Sequence, residues 1–524
     1  MSAIAQRGGR HHRRGPRITI PAPPDGEEKR SYVFRSLPLV TTCISLGFLF
    51  ATLSQAGFIV VTGEWPFILF SLVVTGAFGL SMPLSFLGRG FDYGKHQETV
   101  ETWCPLVWPS VDIYLPVCGE PVDLLANTWA HVAQLVRAYP GPAVGWVLDD
   151  GDDPQARDLA LMHGLQYVVR PNRGQDKKSG NLRYTFARTR GEFFVILDAD
   201  FAPRADFLTE TLPYFDDPRV AIVQTPQFFR TSSEQTWVER AAVTVQEVFY
   251  RAIQTARERL GASICVGTCA VYRRTALADQ GGTTLIAYAE DVHTGLDVRR
   301  KGWNVLYVPV VLATGACPDT LDAFVRQQYR WCTGSTSTIL TSRLWSVPMS
   351  IWARLTYVSG FCYYVSTALA VFAVPLIPIT LLVFHPQFIR PLNSVPILIA
   401  LFVGLAIFPL WHYSDYRLAD VLPLSVARGW AHALAIWDYL RGRTMAWQAT
   451  GAGVGPVRRL WWGIRLWSGG TCLAWLGLVA WRMATLGPTP FVLVAFMGAV
   501  NAATILRLIF PGQTVHSQGG TRPA

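Results

Sequence analysis

The stretch Phe193-Phe194-Val195-Ile196-Leu197-Asp198-Ala199-Asp200 is a continuous apolar run that closes on two carboxylates, and Val144-Gly145-Trp146-Val147-Leu148-Asp149-Asp150-Gly151 repeats the pattern upstream. Short apolar runs rich in β-branched and aromatic side chains read as strands buried on both faces. Similar runs lie at 111–117, 166–169 and 220–223, and helical patterns fill the intervals at 122–137, 154–163, 179–190 and 204–215. Alternating strand and helix predict an α/β domain with a mostly parallel sheet covered on both faces, whose ligands bind at the carboxyl ends of the strands. Both acidic clusters fall at such ends.

Outside this domain the chain changes character. Half of the 524 residues are apolar and only 16% are charged, against roughly 25% in soluble proteins, which excludes both a purely soluble enzyme and a disordered chain. Charge-free runs at 37–61, 66–87, 355–384, 391–411, 466–481 and 483–506 predict about six membrane helices. A hydrocarbon core of about 30 Å takes ~20 helical residues, so the fifth run spans only if Arg465 and Arg482 snorkel to the interfaces. The first run is too long for a cleavable signal peptide and is expected to stay as a helix.

The net charge of +10 is unevenly placed: Arg7, Arg10, Arg13, Arg14, Arg17, Lys29, Arg30 and Arg35 face only three acidic residues before the first apolar run. A basic tail ahead of a membrane helix reads as an anchor at an anionic leaflet rather than a nucleic-acid site. With that tail inside, an even number of crossings makes the inserted domain cytoplasmic, and the arginines between 414 and 465 agree. The expected organisation is a basic tail (1–36), two spans (37–88), a cytoplasmic α/β domain with an interfacial helix (89–350), two spans (351–413), a cytoplasmic interfacial segment (414–463), two spans (464–508) and a tail (509–524). The nine cysteines form no CxxC pair, and Cys265 and Cys269 read as small buried residues.

Several polar groups carry chemistry. The i, i+2 spacing of Asp198 and Asp200 lets both approach one hard cation, Mg²⁺ or Mn²⁺, as a bound diphosphate requires, although a turn or helix cap uses the same residues. Asp149-Asp150-Gly151 is equally compatible with turn chemistry. Lys178-Ser179-Gly180-Asn181 opens a helix, where a cation beside the N-terminus holds phosphate oxygens. Glu290-Asp291 is a helix cap or a general base. In Gln327-Gln328-Tyr329-Arg330-Trp331, Gln327, Arg330 and Trp331 stand at i, i+3 and i+4, giving one helical face an amide, a planar cation and a large ring. Such a face suits phosphate and sugar, or anchors an interfacial helix.

Taken in order, Val111 to Glu120, Asp149-Asp150-Gly151, Lys178 to Asn181, Asp198-Ala199-Asp200, Thr225 to Phe229, Glu290-Asp291 and Gln327 to Trp331 resemble the processive family-2 glycosyltransferases, in particular the catalytic subunit of bacterial cellulose synthase and cellulose-synthase-like proteins. The resemblance implies a GT-A fold in a multi-pass protein of the bacterial cytoplasmic membrane, using a UDP-sugar donor and a growing polysaccharide, with accessory subunits of a synthase complex as further partners. It places Asp149, Asp150, Lys178, Asp198, Gln327 and Arg330 on the UDP-sugar, Asp198 and Asp200 on Mg²⁺ or Mn²⁺, Trp331, Gly267 and Thr268 on the acceptor, and Asp291 beside Glu290 as general base. UDP-glucose polymerised to a β-glucan is the expected reaction, with chitin- or hyaluronan-type products, or a transporter with a degenerate nucleotide-binding domain, as alternatives.

The chain departs from the family in four places. Thr-Glu-Asp is Ala289-Glu290-Asp291, Phe-Cys-Gly-Ser is loosely matched by Cys265-Val266-Gly267-Thr268, and the gating loop Trp447-Gln448-Ala449-Thr450-Gly451-Ala452 ends in Ala where Lys is usual. About 18 residues follow the last run, so no PilZ domain for cyclic-di-GMP is expected.

Overall fold

The computed structural model describes residues 20–33, 38–79, 82, 85, 90–286, 288–443, 445 and 457–510. Two helices, α1 (Pro38–Thr62) and α2 (Ile68–Phe78), lead into the α/β domain. The domain runs β1 (Val111–Val117), α3 (Val122–Ala138), β2 (Ala143–Asp149), α4 (Pro154–Met162), β3 (Gln166–Val168), α5 (Lys177–Phe186), β4 (Phe193–Ile196), β5 (Phe201–Pro203), β6 (Val220–Gln224), α6 (Trp237–Glu247), β7 (Ala270–Arg273), α7 (Glu290–Arg300), β8 (Asn304–Tyr307), β9 (Ala313–Gly315) and α8 (Leu321–Leu340). It is followed by α9 (Ile351–Phe384), α10 (Leu392–Trp411), α11 (Leu418–Leu440), α12 (Gly469–Leu486) and α13 (Val492–Ile509).

Seven strands form the main sheet in the order β3-β2-β1-β4-β7-β6-β8. β7 runs antiparallel to both neighbours, β4 and β6, and every other pairing is parallel. The expected mostly parallel α/β sheet is therefore present, with all five anticipated strands. β7 and β8, four residues each, and the separate β5–β9 pair were not anticipated, because such short segments hold too little periodicity to read.

Both faces of the sheet are covered. Ile113, Leu115 and Val117 of β1 and Val147 of β2 are buried on one side. On the other, Tyr114, Phe194 and Tyr272 stack across β1, β4 and β7 with ring centroids 5.1 and 4.8 Å apart. Arg274 closes that ladder by donating to Asp112 Oδ2 at 2.8 Å. Helix starts follow local chemistry. Asp153 caps α4 ahead of Pro154, and Thr236 with Glu239 forms a capping box on α6, contributions of about 1 kcal/mol each.

Among the described residues, four helices are long and apolar enough to cross a membrane: Pro38–Thr62, Ile351–Phe384, Leu392–Trp411 and Thr489–Ile509. Of the other two expected runs, the described part of 66–87 is helical over Trp65–Phe78, with 80–81, 83–84 and 86–87 outside the described residues, and 466–481 falls largely in the less apolar helix Gly469–Leu486. Arg482 does not simply reach for the interface: it donates to the Leu382 and Val383 carbonyls at 2.7 and 3.0 Å, capping the end of α9. At 34 residues, α9 extends about 51 Å, well beyond a hydrocarbon core of about 30 Å, so one end projects into the domain.

Buried polar links bolt the domain to these helices. Asp438 of α11 accepts from Tyr329 of α8 at 3.0 Å and from Arg459 at 2.6 and 2.8 Å. Glu247 of α6, fully buried, accepts the backbone N–H of Tyr413 and Ser414 at 2.6 and 2.9 Å, just past α10. Part of the N-terminal tail also lies on the domain rather than on a lipid surface. Lys29 pairs with Asp206 and Glu210 at 2.9 and 2.5 Å, and Glu28 with Arg230 at 2.6 Å.

Candidate active site

Four strand and helix ends converge above the sheet. At the end of β2, Asp149 is buried and its carboxylate accepts the backbone N–H of Gly151 and Asp153 at 2.6 and 2.9 Å and the Tyr167 hydroxyl at 2.6 Å. Its neighbour Asp150 makes a two-pronged pair with Arg170, both distances 2.6 Å, and the Arg170 side chain is entirely buried. Asp149 thus shapes the loop from behind, while Asp150 lines the cavity with its charge already matched.

At the end of β4 the carboxylates are open. Lys178 Nζ lies 2.6 Å from Asp198 Oδ1, 3.0 Å from the Gly267 carbonyl and 4.0 Å from Glu290 Oε1. Although burial works against its charge, Asp198, Glu290 and Asp291 hold the Lys178 ammonium above its ordinary range. Burial, reinforced by the nearby charge of Asp198, pushes the Asp200 carboxyl up to about 7.

Ala289, in a left-handed conformation (φ +53°), turns the chain into α7 so that Glu290 and Asp291 begin the helix inside the site. Asp291 Oδ1 accepts the Val292 N–H at 2.8 Å. Burial and the adjacent Glu290 charge nonetheless push Asp291 up to about 7. Gly267 packs directly on this carboxyl: with φ +76°, it leaves no room for a Cβ, which would lie 2.9 Å from Asp291 Cβ and Oδ2. Thr268 is buried and its hydroxyl accepts the Asp198 N–H at 2.9 Å, so it braces the β4 end and presents no group to the cavity.

Gln327, Arg330 and Trp331 of α8 line the same cavity, about 890 Å³ in volume. Burial lowers the affinity of Arg330 for its proton, while Asp198, Glu290 and Asp200 favour its charge. From there the cavity continues along rings of α9, Tyr357, Tyr363 and Tyr364, into the membrane helices. The sequence-derived set therefore comes together, with Asp149 and Thr268 standing behind the wall and Gly267 contributing backbone. Two residues were missed. Glu120, beyond β1, lines the cavity and is pushed up to about 7 by burial, with Asp198 and Asp149 nearby; its place after an apolar strand was the available signal. Arg170, after β3, had the same signal. The gating-loop-like 447–452 lies outside the described residues.

Among the described residues, no three His, Cys, Asp or Glu side chains form a ready metal cage. Two carboxylates flanking an open cavity suit Mg²⁺ or Mn²⁺ completed by phosphate and water. Asp200, raised by burial and by the charge of Asp198 beside it, is a group whose ionised form such an ion would favour.

Residues 193–411 match a family model described as Glycosyl transferase family group 2. The chain is 30% identical over 277 residues to cellulose synthase 1 of Komagataeibacter xylinus, covering 52% of this chain and 17% of that protein. It is 32% identical over 234 residues to the UDP-forming cellulose synthase catalytic subunit of Pseudomonas fluorescens, covering 44% of this chain and 31% of that protein. The chain thus spans a sixth to a third of the length of these relatives. Among solved structures, a mannosyltransferase from Pyrobaculum calidifontis in complex with GDP-Man and Mn²⁺ matches at 15% identity and TM-score 0.41, over 85% of this chain and 99% of that one. The likeness read from the motifs is thus to proteins named as cellulose synthases, over about half of the chain.

Proposed function

We propose that the protein is a membrane-embedded processive inverting β-glycosyltransferase that polymerises glucose from UDP-glucose into a cellulose-like β-glucan and passes the chain through its own helices. One observation carries this reading: a single cavity joins Asp198, Asp200, Lys178, Glu290 and Asp291 to Arg330 and Trp331, and runs on between membrane helices. The cellulose synthase relatives support the sugar and the polymer.

Asp198 and Asp200 would hold Mg²⁺ or Mn²⁺, which when bound neutralises charge on the departing diphosphate. Lys178 and Arg330 meet the remaining phosphate oxygens, Asp150 backed by Arg170 borders the nucleotide, and Gln327 with Trp331 orients the sugars. The acceptor hydroxyl oxygen attacks the anomeric carbon as the bond to the UDP oxygen breaks, and UDP leaves with that electron pair. Asp291 takes the hydroxyl proton. It stands at the start of α7 against Gly267, and a carboxyl pushed up to about 7 is a stronger base than a solvated aspartate.

The test is UDP release by the purified full chain with UDP-glucose, UDP-N-acetylglucosamine and UDP-glucuronate, followed by digestion of the product with an endo-β-glucanase. Release from UDP-glucose with a digestible polymer supports the reading; release from no donor overturns it.

A further inference from the structure

A buried side-chain amide atom without a hydrogen-bond partner is unfavourable, so folded proteins pair nearly all of them. In this chain the pairing differs by place. Gln224, Gln235 and Gln254, buried away from the cavity, use both ends of their amides. The Gln224 nitrogen donates to the Thr268 carbonyl at 2.8 Å and its oxygen accepts the Val266 N–H at 2.9 Å. Gln235 meets the Arg230 carbonyl and the Ser232 N–H at 2.8 and 3.0 Å, and Gln254 meets the carbonyl and N–H of Ile264 at 2.7 and 3.0 Å. Among the described residues, five amides keep a buried atom with no partner. Four of them, Asn181, Gln246, Gln327 and Gln328, line the cavity of the site, and the fifth, Gln55, is on α1.

Asn181 follows Lys178 on the nucleotide side, and Gln327 belongs to the face shared with Arg330 and Trp331. Gln246 and Gln328, each 2% exposed, are so far without a role. Gln246 comes from α6, which packs against α8 and α11; its Nε2 donates to the Cys317 sulfur at 3.5 Å and its Oε1 is unpartnered. Gln328 lies one helical turn before Trp331 on α8, and its Nε2 is unpartnered. One acceptor and one donor, both uncharged, therefore remain on a cavity wall shared with Trp331. A lipid tail would leave both unmet, and a carboxylate could meet only the donor. Sugar hydroxyls meet both, since the O–H donates and its oxygen accepts.

We infer that Gln246 and Gln328 form a subsite for the hydroxyls of a neutral glycan acceptor: one hydroxyl donates to Gln246 Oε1 and another accepts from Gln328 Nε2. This rests on the reading that the cavity receives the acceptor. A hydroxyl contact one turn from Trp331 lets a sugar ring be held by its edge as well as by its face.

The experiment measures binding of fluorescently labelled cellotetraose, of its O-methylated counterpart and of UDP to the full chain in nanodiscs. Methyl ethers still accept hydrogen bonds but donate none. Gln246→Met and Gln328→Met keep the length of the side chain and lose the amide. Each should weaken cellotetraose binding about three- to ten-fold while UDP affinity holds. Methylation should weaken binding to the unaltered protein by a similar factor or more; Gln246→Met should shrink that penalty and Gln328→Met should leave it. Equal binding of the two tetrasaccharides to the unaltered protein overturns the inference and needs no variant. Unchanged cellotetraose affinity in either variant, or a methylation penalty that Gln246→Met does not reduce, also overturns it. An equal loss of UDP affinity makes the two amides structural and overturns the subsite. UDP release from UDP-glucose measured in parallel separates the two readings. Release with no effect of either variant on cellotetraose sinks only the subsite, whereas amide-dependent binding without release from any donor sinks the transferase.

Discussion

The ends of β2 and β4 carry the same kind of sequence, an apolar strand running into two aspartates, yet they do different work. At β2 both carboxylates are already satisfied, Asp149 by two backbone N–H groups and Tyr167, Asp150 by Arg170. At β4 the one hydrogen-bonded cation is Lys178, on a flexible stem and held by Asp198, while burial and the charge of Asp198 push the Asp200 carboxyl up to about 7. The β2 pair builds the site and the β4 pair is left available to a ligand. Asp291 belongs with the available group. The difference teaches that a carboxylate's role at a strand end is decided by what the neighbouring strand and helix bring to it.

This division sorts the expected effects of substitution. The largest belongs to Asp291: Asp291→Asn should lower glycosyl transfer by about 10²–10⁴-fold with UDP affinity nearly unchanged, as read from initial rates and nucleotide titration. If Glu290→Gln has that effect and Asp291→Asn does not, the two roles are exchanged.

Asp150 should behave in the opposite way. Asp150→Ala leaves the buried Arg170 with only the Gln175 and Lys177 carbonyls and no counter-charge, and should lower stability by about 3–5 kcal/mol, seen as an earlier melting transition. Asp200→Asn and Asp291→Asn should not destabilise. A carboxyl raised above its ordinary value binds its proton more tightly folded than unfolded. Its stabilising contribution is therefore complete below about 3.8 and lost as pH rises through about 7. Above that pH the asparagine variants should melt at the same or higher temperature; lower melting would erase the comparison.

Three smaller effects sharpen it. Chelation should reduce UDP release, with Asp198→Asn mimicking the loss and Mn²⁺ or Mg²⁺ restoring only the unaltered protein. Transfer should rise with pH through an apparent pKa near or below 7, because the base acts when deprotonated and bound cations lower its pKa, and a flat profile counts against Asp291. Trp331→Ala should weaken polymer formation by ~1 kcal/mol while nucleotide binding holds.

The α/β pattern, five of the main strands, the strand-end carboxylates and the Gln327, Arg330, Trp331 face were legible because hydrophobic period and residue spacing are local properties. Arg170, Glu120 and the bracing role of Thr268 were not, since each depends on a partner that is remote in sequence. Thr268 meets the Asp198 N–H, 70 residues away, and Arg170 meets Asp150 only because β3 lies beside β2. The N-terminal segment shows the same limit: Lys29 reads as one more basic tail residue until Asp206 and Glu210 are beside it.

By itself the sequence determined five strands of the main sheet and the apolar runs, and it marked Asp198, Asp200, Lys178, Glu290, Asp291 and the Gln327, Arg330, Trp331 face as groups with the chemistry for phosphate, metal or proton. Only the tertiary structure decided which carboxylates remain available and that Gly267 lies against Asp291. The physical reason is that the type of a side chain is written at its own position, whereas its charge state and availability depend on burial and on partners delivered by other parts of the chain.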